Sequence, residues 1–107
     1  MEKVTAAQMK AGITRFAEKE LFPKMYGLKG FGLELGIALA LENADAMLQS
    51  PIFSDLGIKD ENNMIDIEKL YGVTRNRLEK RGKITFAGLT LTAEDVDAMY
   101  REILAMK

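Results

Sequence analysis

The chain has 107 residues, 48% hydrophobic and 29% charged, a balance typical of a globular protein rather than a disordered one. Fifteen Lys and Arg face sixteen Asp and Glu, and this net charge of −1 gives no global field that selects nucleic acid or an anionic membrane. With no Cys and no His, disulfides, thiolate nucleophiles and Cys zinc centres are excluded, and the commonest general base and metal ligand is missing.

The N-terminus, Met1-Glu2-Lys3-Val4-Thr5, has no apolar run behind a basic start. No signal peptide is expected, and the absence of Cys fits a reducing compartment, so the expected location is cytoplasmic. Thr5-Ala6-Ala7-Gln8 matches a capping box, and Val4 and Met9 flank it at the spacing of a hydrophobic staple. Met9, Ile13, Phe16 and Ala17 then fall on one helical face. Pro23 disfavours helix at Phe22, so the first helix should end near Leu21. Gly27 to Gly32 precedes the next helix, but it has neither the preceding strand nor the Lys-Ser/Thr pair of a phosphate loop. It reads as a connector.

Residues 29–47 are the most apolar part of the chain, and a helix is read over residues 31–49. Leu33, Leu35, Ile37, Leu39 and Leu41 alternate as a strand would. The run is too long for an ordinary strand and rich in Ala and Leu, so it predicts a helix. Glu34 lies inside it and Glu42 and Asp45 close behind, whereas a membrane span needs about 20 largely uncharged residues. Gly32, Gly36, Ala40 and Ala44 line up four apart, a strip along which another helix can approach. A helix apolar nearly all round is hard for three small neighbours to cover. Self-association through that strip or an adjacent face is the expectation, which makes the partner a protein, first of all a second copy.

Ser50-Pro51 stops this helix and starts a short turn, with Pro at the first helical position and Gly57 to close it. Residues 58–63 read as a polar loop. The segment from Asp60 to Tyr71 resembles the second half of an EF-hand calcium loop, with Asp60, Asn62 and Asp66 at ligand positions. Ile58 stands where the first Asp belongs and Lys69 replaces the bidentate Glu. Those departures leave a polar turn into a helix as the expectation, with no metal bound.

A third helix is predicted over residues 66–81, with Ile67, Leu70, Tyr71, Thr74 and Leu78 on one face. Gly72 weakens its middle by about 1 kcal/mol relative to Ala. If the chain breaks there, residues 65–84 resemble a DNA-binding helix-turn-helix. Thr74 would cap the second helix, and Arg75, Asn76, Arg77, Lys80 and Arg81 would be its DNA-contacting residues. Five basic residues face only Glu79 between positions 75 and 83. Against this, Glu68 and Arg81 occupy positions the family gives to small and aliphatic residues, and the rest of the chain lacks a basic footprint.

From Gly82 to Thr92 the period changes: Ile84 and Phe86, then Leu89 and Leu91, alternate with other residues around Ala87-Gly88, which suggests a small hairpin. Thr92 and Asp95 form a second capping box, Leu91 and Val96 a second staple, and Val96, Met99, Tyr100 and Ile103 the apolar face of a last helix. "DIEKLY" at 66–71 and "DVDAMY" at 95–100 echo one another, as two similar helix starts packed as a pair would. Asp95 and Asp97 point to different faces of a helix, so all acids are read as capping or solvated. Seven Met residues suit an adaptable binding groove or plain core filling, and Met9, Met47 and Met99 fall on predicted core faces.

The expected fold is mainly α: a single small four-helix domain over residues 1–107, with a short turn after Pro51 and a short β-hairpin before the last helix. The favoured function is a non-enzymatic protein-interaction or adaptor domain that self-associates, with no cofactor; DNA binding through residues 65–84 is the alternative.

Overall fold

The computed structural model describes residues 2–21, 23, 31–86 and 89–107. Among the described residues the chain runs through strand β1 (Lys3–Val4), helix α1 (Ala6–Phe16), a π turn (Ala17–Leu21) and helix α2 (Phe31–Gln49). Then come the one-turn helix α3 (Pro51–Asp55), strand β2 (Ile65–Asp66), helix α4 (Ile67–Arg81), strands β3 (Ile84–Phe86) and β4 (Leu89–Leu91), and helix α5 (Ala93–Leu104). The fold is mainly helical with a two-strand hairpin before the last helix, as the periodicities predict. Residues 27–30 of the connector and the 87–88 turn lie outside the described residues.

Local chemistry sets each helix boundary. Thr5 accepts from the Gln8 amide and the Gln8 side chain accepts from the Thr5 amide, so both halves of the box close. Thr92 and Asp95 do the same for α5. Ser50 accepts from the Ile52 amide above Pro51, and Asp66 accepts from the Lys69 amide to start α4. Gly57 and Gly82 end α3 and α4 at φ values of 74° and 75°, where only glycine is unstrained. The last turn of α2 has no basic residue of its own; Lys59 reaches back and donates to the Leu48 carbonyl at 2.8 Å.

The core forms where these elements meet. α1 packs along α5 and against α2; α5 also packs on α4. The α1–α5 crossing is unusually close at Gly12. A Cβ there would lie 2.4 Å from the Cα of Ile103 and 2.7 Å from its backbone N. Arg15 and Glu102, 3.3 Å apart, bracket the crossing on its wet side. The π turn has a packing reason. Continued α-helical winding would bring Glu20 round onto the stripe of Met9, Ile13 and Phe16, whereas the wider turn brings Leu21 into the core at 2% exposure.

Two features differ from the sequence reading. Residues 58–63 are not polar throughout: Ile58 is fully buried, and its carbonyl accepts from the Asp66 amide at 2.7 Å. β1 and β2 pair antiparallel, with Lys3 opposite Asp66 and Val4 opposite Ile65. That ribbon pins the N-terminal segment to the start of α4. The echoed hexapeptides do pack as a pair, since Tyr71 and Tyr100 meet edge to face with ring centroids 5.2 Å apart.

Gly12 of α1 and Gly72 of α4 should therefore respond in opposite senses. Gly12→Ala forces backbone apart at the α1–α5 crossing and should lower stability by about 1–3 kcal/mol. Gly72 sees nothing within 4 Å of an added Cβ, so Gly72→Ala should raise stability by about 0.5–1 kcal/mol. Urea unfolding of the two variants beside the parent checks both signs.

Candidate functional site

α4 is one unbroken helix from Ile67 to Arg81, so the two-helix turn of a helix-turn-helix does not form at Gly72. Thr74 caps nothing; its hydroxyl donates to the Leu70 carbonyl at 2.8 Å from within the helix. The physical reason is that Gly72 costs only about 1 kcal/mol, while the Asp66 cap and the Gly82 terminator define a single rod. On that rod Arg75, Asn76, Arg77, Lys80 and Arg81 spread over roughly 240° at 100° per residue, so they do not converge on one groove-facing edge. Arg75 leans toward α5 and lies 3.7 Å from Asp97. Asn76, Arg77, Lys80 and Arg81 are exposed.

The small-residue strip of α2 is only partly a surface. Successive members four apart drift by about 40° around a helix. Gly32 and Gly36 consequently lie half-buried at the flank, whereas Ala40 and Ala44 are 1% and 0% exposed in the chain's own core. The free face of α2 is the opposite one. Leu35 and Leu39 are 50% and 52% exposed, one turn apart, with Ala38, Glu42 and Ala46 exposed beside them.

The loop that resembles a calcium site uses its acids differently. Asp60 Oδ2 receives Lys3 Nζ at 2.9 Å, while Oδ1 accepts from the amides of Asn62 and Met64. A lysine ammonium thus stands where a cation would, and Asn63 turns the chain at φ 61°. Asp66 is buried as the α4 cap. The Lys3 hydrogen bond, helped by the two amides, holds the Asp60 carboxyl below its ordinary 3.8. Reciprocally, the Asp60 carboxylate holds Lys3 above its ordinary 10.5. Asp97 is likewise neither capping nor free: it accepts from the Tyr71 hydroxyl at 2.7 Å. That bond, and then burial, push the Tyr71 phenol up. Burial raises Tyr100 further, against a weaker opposing effect of its 3.2 Å contact with Thr74. The Tyr71–Asp97 and Thr74–Tyr100 contacts thus tie α4 to α5.

Two of the larger concavities among the described residues lie on either side of α4. One, about 390 Å³, lies against α5 and includes Glu2, Glu68, Asp97 and Arg101. The other, about 410 Å³, opens between the C-terminal half of α2 and the middle of α4, with α1, α5 and the hairpin as floor and end wall. Met9, Met47 and Met99 all line it, together with Phe53, Phe86 and Tyr100. Its mouth carries Ile52 and Val73, 54% and 41% exposed, and Arg77. The three methionines were readable as core or groove, and they serve as both. The cleft itself was not legible, because it is the gap between two helices that both pack on the α1–α5 pair.

Among the described residues there is no cluster of three or more acids that could hold a metal ion. No described helix is long and apolar enough to cross a membrane. Compared with family models, curated proteins and solved structures, the chain finds no match.

The Asp60 geometry carries a pH signature. Its folded pKa is depressed, so its stabilising share is complete above 3.8 and is lost as pH falls through the lower folded value. Asp60→Asn keeps an oxygen for the two amides but loses the ion pair. The stability gap between parent and Asp60→Asn, read as urea midpoints, should be constant near neutrality and close as the pH drops below 3.8.

Proposed function

We propose that this chain is a non-enzymatic interaction domain that pairs with a second copy of itself through the outer face of α2. The observation that carries the reading is the half-exposure of Leu35 and Leu39 on a helix whose opposite face already sits in the core. Soluble chains rarely leave neighbouring large aliphatics on a regular helix face without a use for them.

Charge supports a second copy as the occupant. α2 contains exposed Glu34 and Glu42 and no Lys or Arg in 19 residues, its third acid, Asp45, being paired with Lys10 of α1 at 2.9 Å. The last turn of α4 carries exposed Lys80 and Arg81, with Lys83 beyond it. One molecule therefore carries both halves of a complementary pair, and a net charge of −1 opposes association hardly at all. A stable pair needs about 800 Å² from each partner. That is about an eighth of this chain's 6408 Å², within reach of a 19-residue helix and the α3 turn with its exposed Leu56. The DNA-binding alternative has no comparable support once α4 is a single rod.

Size-exclusion chromatography with light scattering across the micromolar range is the test. The parent should approach twice the 11.9 kDa chain mass, and the Leu35→Glu/Leu39→Glu double variant should stay at the single mass with unchanged helical circular dichroism. Added salt should shift the parent toward monomer, because the charged rim is screened. A parent that remains monomeric throughout the range defeats the reading.

A further inference from the structure

We infer that the cleft between α2 and α4 is a binding site for a small amphipathic anion, of the class of a medium-chain alkyl carboxylate, with its apolar body among the methionines and its head on Arg77. Three observations converge. The cleft measures about 410 Å³, inside the range of about 300–1,000 Å³ that small-molecule sites occupy. Its interior is apolar, and Met9, Met47 and Met99 give it an unbranched, adaptable lining suited to a flexible chain. Among the described lining residues, Arg77 is the one charged side chain, and no carboxylate accompanies it.

The Arg77 guanidinium makes no ion pair or hydrogen bond among the described residues, unlike Arg75, which is engaged by Asp97, and Arg15, engaged by Glu102. A planar fork of donors at the rim of an apolar cleft matches a carboxylate, to which it can bind with two parallel hydrogen bonds. Asn43 and Thr85 at the same lining add donors without adding charge. The contrast within the molecule is informative: the neighbouring concavity on the other side of α4 sets Glu2, Glu68 and Asp97 against a single Arg101, a net negative lining that disfavours such a head group. Leu35 and Leu39, the apolar contact of the pairing proposed above, do not line the cleft, although the α3 turn borders both surfaces.

The test is a titration of decanoate, below the concentration at which it self-associates, into protein carrying labelled methionine methyls, using both the parent and the Leu35→Glu/Leu39→Glu variant. The Met9, Met47 and Met99 methyls should shift saturably in both proteins, while Met64 and Met106, outside the cleft, stay still. Each methylene removed from the ligand should weaken binding about fourfold. Decan-1-ol and decyltrimethylammonium should bind at least roughly tenfold more weakly than decanoate, and Arg77→Gln should erase the preference for the carboxylate over the alcohol. The inference is overturned if the three methyls do not respond, if alcohol and carboxylate bind alike, or if Arg77→Gln leaves the preference intact. It is also overturned if those methyls shift with protein concentration alone, which would place a second copy in the cleft.

Discussion

The backbone of α1 lies against the backbone of α5 where Gly12 faces Ile103, and most of the molecule is arranged around that approach. With no side chain between them, the two helices bring Met9 and Ile13 into one layer with Val96, Met99 and Ile103. α2 then packs on α1, and α4 on α5, while α2 and α4 share little direct packing with one another. Two helices mounted on opposite flanks of a tight central pair leave a trough between them.

Much of this order was legible in the sequence because it is written in short-range chemistry. Both capping boxes, the Ser50-Pro51 start and the α4 terminator at Gly82 depend on residues a few positions apart. The apolar faces of α1, α4 and α5 depend on helical spacing alone. What was hidden depends on distant partners. The β1–β2 ribbon joins residue 3 to residue 66, and neither two-residue strand has a period to detect. Ile58 looks like the lip of a polar loop, yet it is buried, with its amide donating to the Phe53 carbonyl in α3 and its carbonyl accepting from the Asp66 amide of the ribbon. The helix-turn-helix pattern was permissive for the opposite reason. Its apolar positions are those of any amphipathic helix, and the helix penalty of Gly72, about 1 kcal/mol, is too small to force the distinguishing break.

The small-residue strip of α2 illustrates how a correct helix can still mislead about its surface. A spacing of four gives neighbours, not a straight line, and over three steps the strip rotates from the flank into the core. Burial of Ala40 and Ala44 leaves Leu35 and Leu39 outward. The charges are segregated in the same way, acids along α2 and bases along the end of α4, so a nearly neutral chain has a polarised surface. Arg77 stands where the basic side of that surface meets the trough.

The π turn at Ala17–Leu21 sets a rule of length rather than of chemistry. It spends one residue more than an ordinary helix to cover the same rise, and that surplus brings Leu21 round to the core. A chain shortened by a single residue in this segment would regain regular i to i−4 bonding yet turn its end by about 100°. Substitution here is then more easily tolerated than deletion.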